Sequence, residues 1–102
     1  MYNLKILNSA YDDLNAIYNF CYNINSVYAT KIIQLIEQAI DSLKYFPLIN
    51  PYYAIFNNRV FRKHILNKRY LIIFIVINFN IIIIRIIDGR KNISPNDLFK
   101  TN

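Results

Sequence analysis

Hydrophobic and polar positions divide the chain into two halves of different period. From Met1 to Asn8, Tyr2, Leu4 and Ile6 share one parity while Asn3 and Lys5 take the other, the alternation of a strand with one wet face. Ser9 ends it, and Ser9-Ala-Tyr-Asp12 has capping-box form, with Ser9 placed to accept from the third helical amide and Asp12 to meet the positive helix end. Ala10, Leu14, Ile17 and Cys21 follow at helical spacing, predicting a first helix to about Tyr22. After the polar break Asn23 to Ser26, with a fresh cap in Asn25 or Ser26, Ala29, Ile32, Ile33, Ile36, Ala39, Ile40 and Leu43 trace one apolar stripe. Phe46-Pro47 ends it, because proline excludes the helical conformation from its predecessor. Two helices joined so briefly form an antiparallel hairpin whose common stripe needs a sheet to lie on.

The second half supplies that sheet. Leu48 to Asn58 reads as a connecting loop, with prolines at 47 and 51, Tyr52-Tyr53 and the turn signal Asn57-Asn58. Arg59 to Leu66 is a strand of mixed polarity, turned by Asn67-Lys68, or by Asn67-Lys68-Arg69, into the apolar runs Tyr70 to Ile77 and Ile81 to Ile87, which Asn78-Phe79-Asn80 separates and Asp88-Gly89 closes. The rival reading is a membrane span over Tyr70 to Ile87, near the roughly 20 residues a helix needs to cross hydrocarbon. It would leave Asn78 and Asn80 mid-membrane and charge about 2.5 to 3.5 kcal/mol for a central Arg85, so buried strands are preferred and no membrane partner is expected. Ser94 as cap, Pro95 and Asp97 suggest one closing helical turn. The expected fold is α+β in one domain, residues 1–102: a strand, an antiparallel helix hairpin, then a three-stranded antiparallel meander, with both helices on one face of a four-stranded sheet. The opposite face is expected to be partly open, its polar residues drawn from Arg59 to His64 and Arg85 to Lys91.

Composition and charge refine this picture. A hydrophobic content of 55% with one glycine and three prolines excludes a disordered chain. The single Cys21 permits no internal disulfide and falls on an apolar helical face, so it reads as a core residue. No export leader is visible, which makes the cytoplasm the expected compartment. The net charge of +6 is unevenly placed: residues 1–50 carry three lysines against four acids, residues 51–102 nine basic groups against Asp88 and Asp97. That asymmetry suits an anionic partner, whether nucleic acid, a ribosome surface or an acidic protein segment.

With one histidine, one cysteine and no clustered carboxylates, no metal set is expected, and no phosphate loop, nucleophile motif or cofactor site appears. Metal-independent RNA cleavage remains open, since attack by a 2'-hydroxyl needs guanidinium stabilisation plus a proton acceptor and donor. Arg62, Arg85 and Arg90 are the candidate charge stabilisers, with His64 able to titrate near neutral pH; Lys63, His64, Lys68, Arg69 and Lys91 are candidate contacts to nucleic acid or another target. His64 reads more readily as a solvated strand residue than as a catalytic one. Arg85, between Ile84 and Ile86, requires either an open face or a partner. A three-residue turn at Asn78 to Asn80 sets Ile73 opposite Arg85, and a two-residue turn at Asn67-Lys68 sets Arg62 opposite Ile73, giving an expected row Arg62, Ile73, Arg85 on one face.

Ser9-Ala10 with Asp13-Leu14 and Ile17, Leu43-Lys-Tyr-Phe46-Pro47, Arg62 before Tyr70-Leu-Ile-Ile-Phe74, and Arg85-Ile-Ile-Asp-Gly-Arg90 together resemble the RelE/ParE-like toxins of bacterial type II toxin-antitoxin modules. The resemblance spans nearly the whole chain. It implies a growth-inhibiting, plasmid stabilisation-type toxin held inactive by an acidic antitoxin encoded beside it, which wraps it. One branch of the family cleaves messenger RNA on the ribosome with arginines, lysines and a late tyrosine or histidine; another poisons DNA gyrase. Arg90 matches the arginine after the last strand, and Lys63 lies near the family's basic third-strand positions. Leu71 stands where cleaving members often place arginine, a role open to Arg69, and Phe99 rather than tyrosine follows Arg90, so the resemblance leans toward the non-cleaving branch. The alternative is a non-toxic basic module that binds RNA or an acidic protein segment, distinguished by the absence of a short acidic reading frame next door.

Overall fold

The computed structural model describes residues 1–90. Strand β1 (Asn3–Ile6) is followed by helices α1 (Asn8–Ile24) and α2 (Ser26–Ser42), a 3-10 turn (Pro47–Ile49), and strands β2 (Tyr52–Phe56), β3 (Arg59–Leu66), β4 (Tyr70–Ile77) and β5 (Asn80–Asp88). The architecture is α+β, with a five-stranded mixed sheet in the order β1-β5-β4-β3-β2. β1 runs parallel to β5 and the other pairs are antiparallel. The additional strand, β2, falls where a loop was expected. Its hairpin with β3 turns on Asn57 and Asn58, both at positive φ, the conformation that two-residue hairpins demand and that asparagine tolerates.

The helix stripe packs as its spacing predicts. Ala10, Cys21, Ala29, Ile32, Ile36, Ala39, Ile40 and Leu43 join Tyr70, Ile72, Phe74, Ile81, Ile83 and Ile86 in one buried cluster, with Tyr2, Leu4, Ile6, Leu14 and Ile17 against it. Each large side chain fully withdrawn from water there contributes about 1.5 to 3 kcal/mol. Asn25 caps α2, accepting from the Tyr28 N–H at 3.0 Å. The expected capping box on α1 does not form. The helix begins two residues earlier, at Asn8, with no side-chain cap, and the Ser9 hydroxyl instead donates to Ile84 O at 2.6 Å and so ties α1 to β5. Among the described residues, no helix is long and apolar enough to cross a membrane; the run Tyr70 to Ile87 is two strands of a hairpin.

The face turned away from the helices is more apolar than expected. Phe61, Ile73 and Ile75 are buried there, with Tyr53, Phe56, Leu71, Ile77, Ile82 and Ile84 packed around them. The closing turn expected from Ser94, Pro95 and Asp97 lies outside the described residues.

Candidate functional site

The end of β5 is where charge collects. β1 pairs with β5 only as far as Ile83, so the strand edge beyond it needs other partners. Helix α1 supplies them. Asp13 accepts from the Ile86 N–H at 2.8 Å and, through both oxygens, from the Arg85 guanidinium at 2.7 and 2.9 Å. The requirement read from the sequence, that an arginine inside an isoleucine run be either exposed or paired, is met by pairing. Hydrogen bonding to Asp13 raises the Arg85 pKa.

A second carboxylate, Asp88, ends β5. Asp88 takes the Arg90 guanidinium at 2.9 Å and Arg69 at 3.4 Å, and Arg90 also donates its backbone N–H to it at 3.0 Å. The Arg90 hydrogen bonds, with the nearby Arg69 charge, hold Asp88 at about 2. Gly89 permits this: its N–H donates to Arg69 O at 2.5 Å, and a Cβ in its place would stand 2.9 Å from that oxygen. Between α1 and this strand end lies a groove of about 430 Å³, walled by the three arginines and two aspartates over an apolar floor that includes Ile17, Tyr70 and Ile86.

Arg62 and His64 do other work. Arg62 donates to Asn50 O at 2.8 Å and to Leu48 O at 3.3 Å, and its guanidinium lies 4.6 Å from the Tyr52 ring centre. His64 Nδ1 lies 2.8 Å from Asn50 Oδ1. Both side chains hold the loop after α2 against the helix-bearing side of the sheet, and burial lowers the His64 pKa, favouring its neutral form.

The expected row is therefore corrected. The turn after β3 has three residues, with Leu66 opposite Tyr70, and so Arg62 pairs with Phe74 while Lys63 pairs with Ile73. Phe74 belongs to the helix-side core and Ile73 to the opposite cluster; Arg62 thus faces away from the Arg85 row. Ile73 does pair with Arg85, by compensation: the turn before β5 has two residues, with Ile77 opposite Asn80, and a bulge at Ile84 restores the shift. Asn67, Lys68 and Asn78 take the left-handed φ that such tight turns need without glycine.

The structure thus brings Arg69, Arg85 and Arg90 together and separates Arg62 and His64 from them. Lys63 lies on the opposite face and Lys68 at the β3–β4 turn, and Lys91 is outside the described residues. Asp13 was not among the candidate residues, although a signal was present: it lies three positions after Ala10 and four before Ile17, on the packed side of α1, where a carboxylate demands a cation. Burial raises Tyr70 to about 12 and pushes Tyr53 upward. Among the described residues, no cluster of three histidine, cysteine or acidic side chains forms.

The family model described as "ParE toxin of type II toxin-antitoxin system, parDE" matches residues 4–93. Among solved structures, the chain is similar to one described as "Chromosomal ParDE TA system from P. aeruginosa", with 25% identity over 86% of this chain and 96% of that chain, and a TM-score of 0.72. Comparison with curated protein sequences finds no match.

Proposed function

From the premise that the chain belongs to the ParE toxin family of type II toxin-antitoxin systems, we propose that it arrests growth by poisoning DNA gyrase in the cytoplasm rather than by cutting messenger RNA. Membership in a parDE system implies an antitoxin partner; on this reading the partner is acidic and engages the basic surface of the sheet.

The observation that carries the non-cleaving reading is the engagement of every arginine nominated for catalysis. Arg85 is bound through two nitrogens to Asp13, Arg90 to Asp88, and Arg62 to two loop carbonyls. A phosphorane-stabilising guanidinium has to face open space beside a group that exchanges a proton near neutral pH. Asp88 at about 2 and Tyr70 at about 12 are far from that range, and His64 points into the loop after α2. Arg85 and Arg90 remain in this reading as contacts or supports for a target-binding surface, with Lys63, Lys68, Arg69 and Lys91 as the other target contacts.

The test pairs two assays on one preparation. Incubated with gyrase, ATP and plasmid, the protein should suppress supercoiling and accumulate gyrase-linked broken DNA, while messenger RNA on translating ribosomes stays intact. Ribosome-dependent cleavage with unaffected gyrase would overturn the proposal.

A further inference from the structure

The two edges of the sheet are finished differently. At the β1 edge, Tyr2 N–H is taken by Lys44 O at 3.0 Å, and Lys5 lies within the strand. At the other edge, β2 reads Tyr-Tyr-Ala-Ile-Phe, short and bulged at Tyr53 but with neither charge nor proline, the residues that usually keep an edge from recruiting a strand. The two-residue turn makes Phe56 and Arg59 a hydrogen-bonded pair. Ile55, one position back, therefore aims its N–H and C=O away from β3, on the sheet's outer edge, where no main-chain partner meets them among the described residues. Tyr52 and Ile55 are 63% and 70% exposed, and Leu48 and Ile49 in the 3-10 turn that precedes β2 are 53% and 81% exposed.

The charge around this edge has one sign. No aspartate or glutamate occurs between Asp41 and Asp88, a stretch holding Lys44, Arg59, Arg62, Lys63, Lys68, Arg69 and Arg85. A second copy of the chain would bring like charges together, with +6 on each molecule. An extended segment with acidic side chains would gain main-chain hydrogen bonds from the edge and attraction from Arg59, Arg62 and Lys63, the nearest of which lie one or two strand spacings, roughly 5 to 10 Å, away. We propose that the outer edge of β2 is a strand-addition site for an acidic, extended segment of the antitoxin, with Ile55 supplying the central pair of main-chain hydrogen bonds. The proposal rests on the toxin–antitoxin reading for the identity of the partner and on the edge geometry for its place.

Amide exchange followed by NMR tests the edge without the natural partner. The probe is a synthetic peptide alternating glutamate and valine, and at saturation it should slow exchange at Ile55 by about tenfold or more. A peptide of the same sequence with N-methylated backbone should lose this effect, and one alternating lysine and valine should not bind. Ile55→Pro gives up only an N–H that faces water, which an edge strand tolerates, and should weaken peptide binding about tenfold. Unchanged exchange at Ile55, equal binding of the N-methylated or the lysine peptide, or a protein already dimeric with Ile55 protected would each overturn the proposal. In cells, Ile55→Pro should arrest growth like the parent but escape rescue by the antitoxin encoded next to it. A parent chain that fails to arrest growth would strike the functional reading, while the exchange result still decides the edge.

Discussion

Two regions of this molecule are equally basic in sequence and opposite in physical state. At the end of β5, Arg69, Arg85 and Arg90 spend their charge on Asp13 and Asp88. Along β3 and its turns, Arg59, Lys63 and Lys68 have no acidic residue nearby in the chain. An arginine locked to a carboxylate and a strand edge organises the fold, whereas a lysine standing alone adds to the field that an anionic partner feels. The difference shows why a count of basic residues locates neither a catalytic centre nor an interface. What matters is where the few acids fall.

The firmest way to break this comparison is Asp13→Ala. It leaves the Arg85 guanidinium and the Ile86 N–H without their acceptor, and removing one member of a partly buried, doubly hydrogen-bonded pair should cost about 2 to 3 kcal/mol in urea unfolding. A loss below about 1 kcal/mol would mean that the β5 end is not structurally committed. Arg62→Ala comes next. It removes two hydrogen bonds to the loop after α2 and the contact with the Tyr52 ring, and thermal unfolding should report about 2 kcal/mol. Were Arg62→Ala instead neutral for stability and damaging for growth arrest, Arg62 would belong with the free charges.

Much of this contrast was legible in the sequence, and the part that was not has a physical cause. The helix stripe from Ala29 to Leu43 and the two isoleucine strands announce themselves because period alone decides which face is buried. β2 was hidden because Asn57-Asn58 reads as a loop signal until both residues are seen at positive φ, closing a hairpin. The face of Arg62 was missed by one residue, since Arg69 belongs to the turn, and a one-residue slip reverses every side chain of a strand. The Arg85 register survived only because a shorter turn and a bulge cancel. Asp13 pairs with a residue 72 positions away, and no local pattern reports such a contact.

Acid sharpens the comparison with a smaller effect. The Asp88 carboxyl is held at about 2, chiefly by hydrogen bonds from Arg90, against its ordinary 3.8. The folded state thus favours the deprotonated form: the contribution is complete above roughly pH 5 and is lost as pH falls toward 2. Because Arg90 stands largely in water, the stability at stake is about 1 kcal/mol rather than the full value of the shift. Unfolding of the parent between these limits should therefore steepen with acid more than that of Arg90→Ala. Identical profiles would place the low pKa on another cause.

The smallest effect on the fold should come from the other region and carry the largest consequence for binding. Arg59, Lys63 and Lys68 make no ion pair among the described residues, and removing solvated charges of one sign relieves repulsion while sacrificing little packing. The triple variant Arg59→Ala, Lys63→Ala, Lys68→Ala should unfold within about 0.5 kcal/mol of the parent. Its affinity for the antitoxin, acidic on the proposed reading, should nonetheless fall, chiefly through slower association. Added salt should weaken the parent complex and affect the triple variant less, since screened charges steer only while they are present. A complex with the same affinity and the same salt response in both proteins would show that these free charges are not what the partner reads. In that event the apolar band beside β2, and not the field around it, would have to account for recognition.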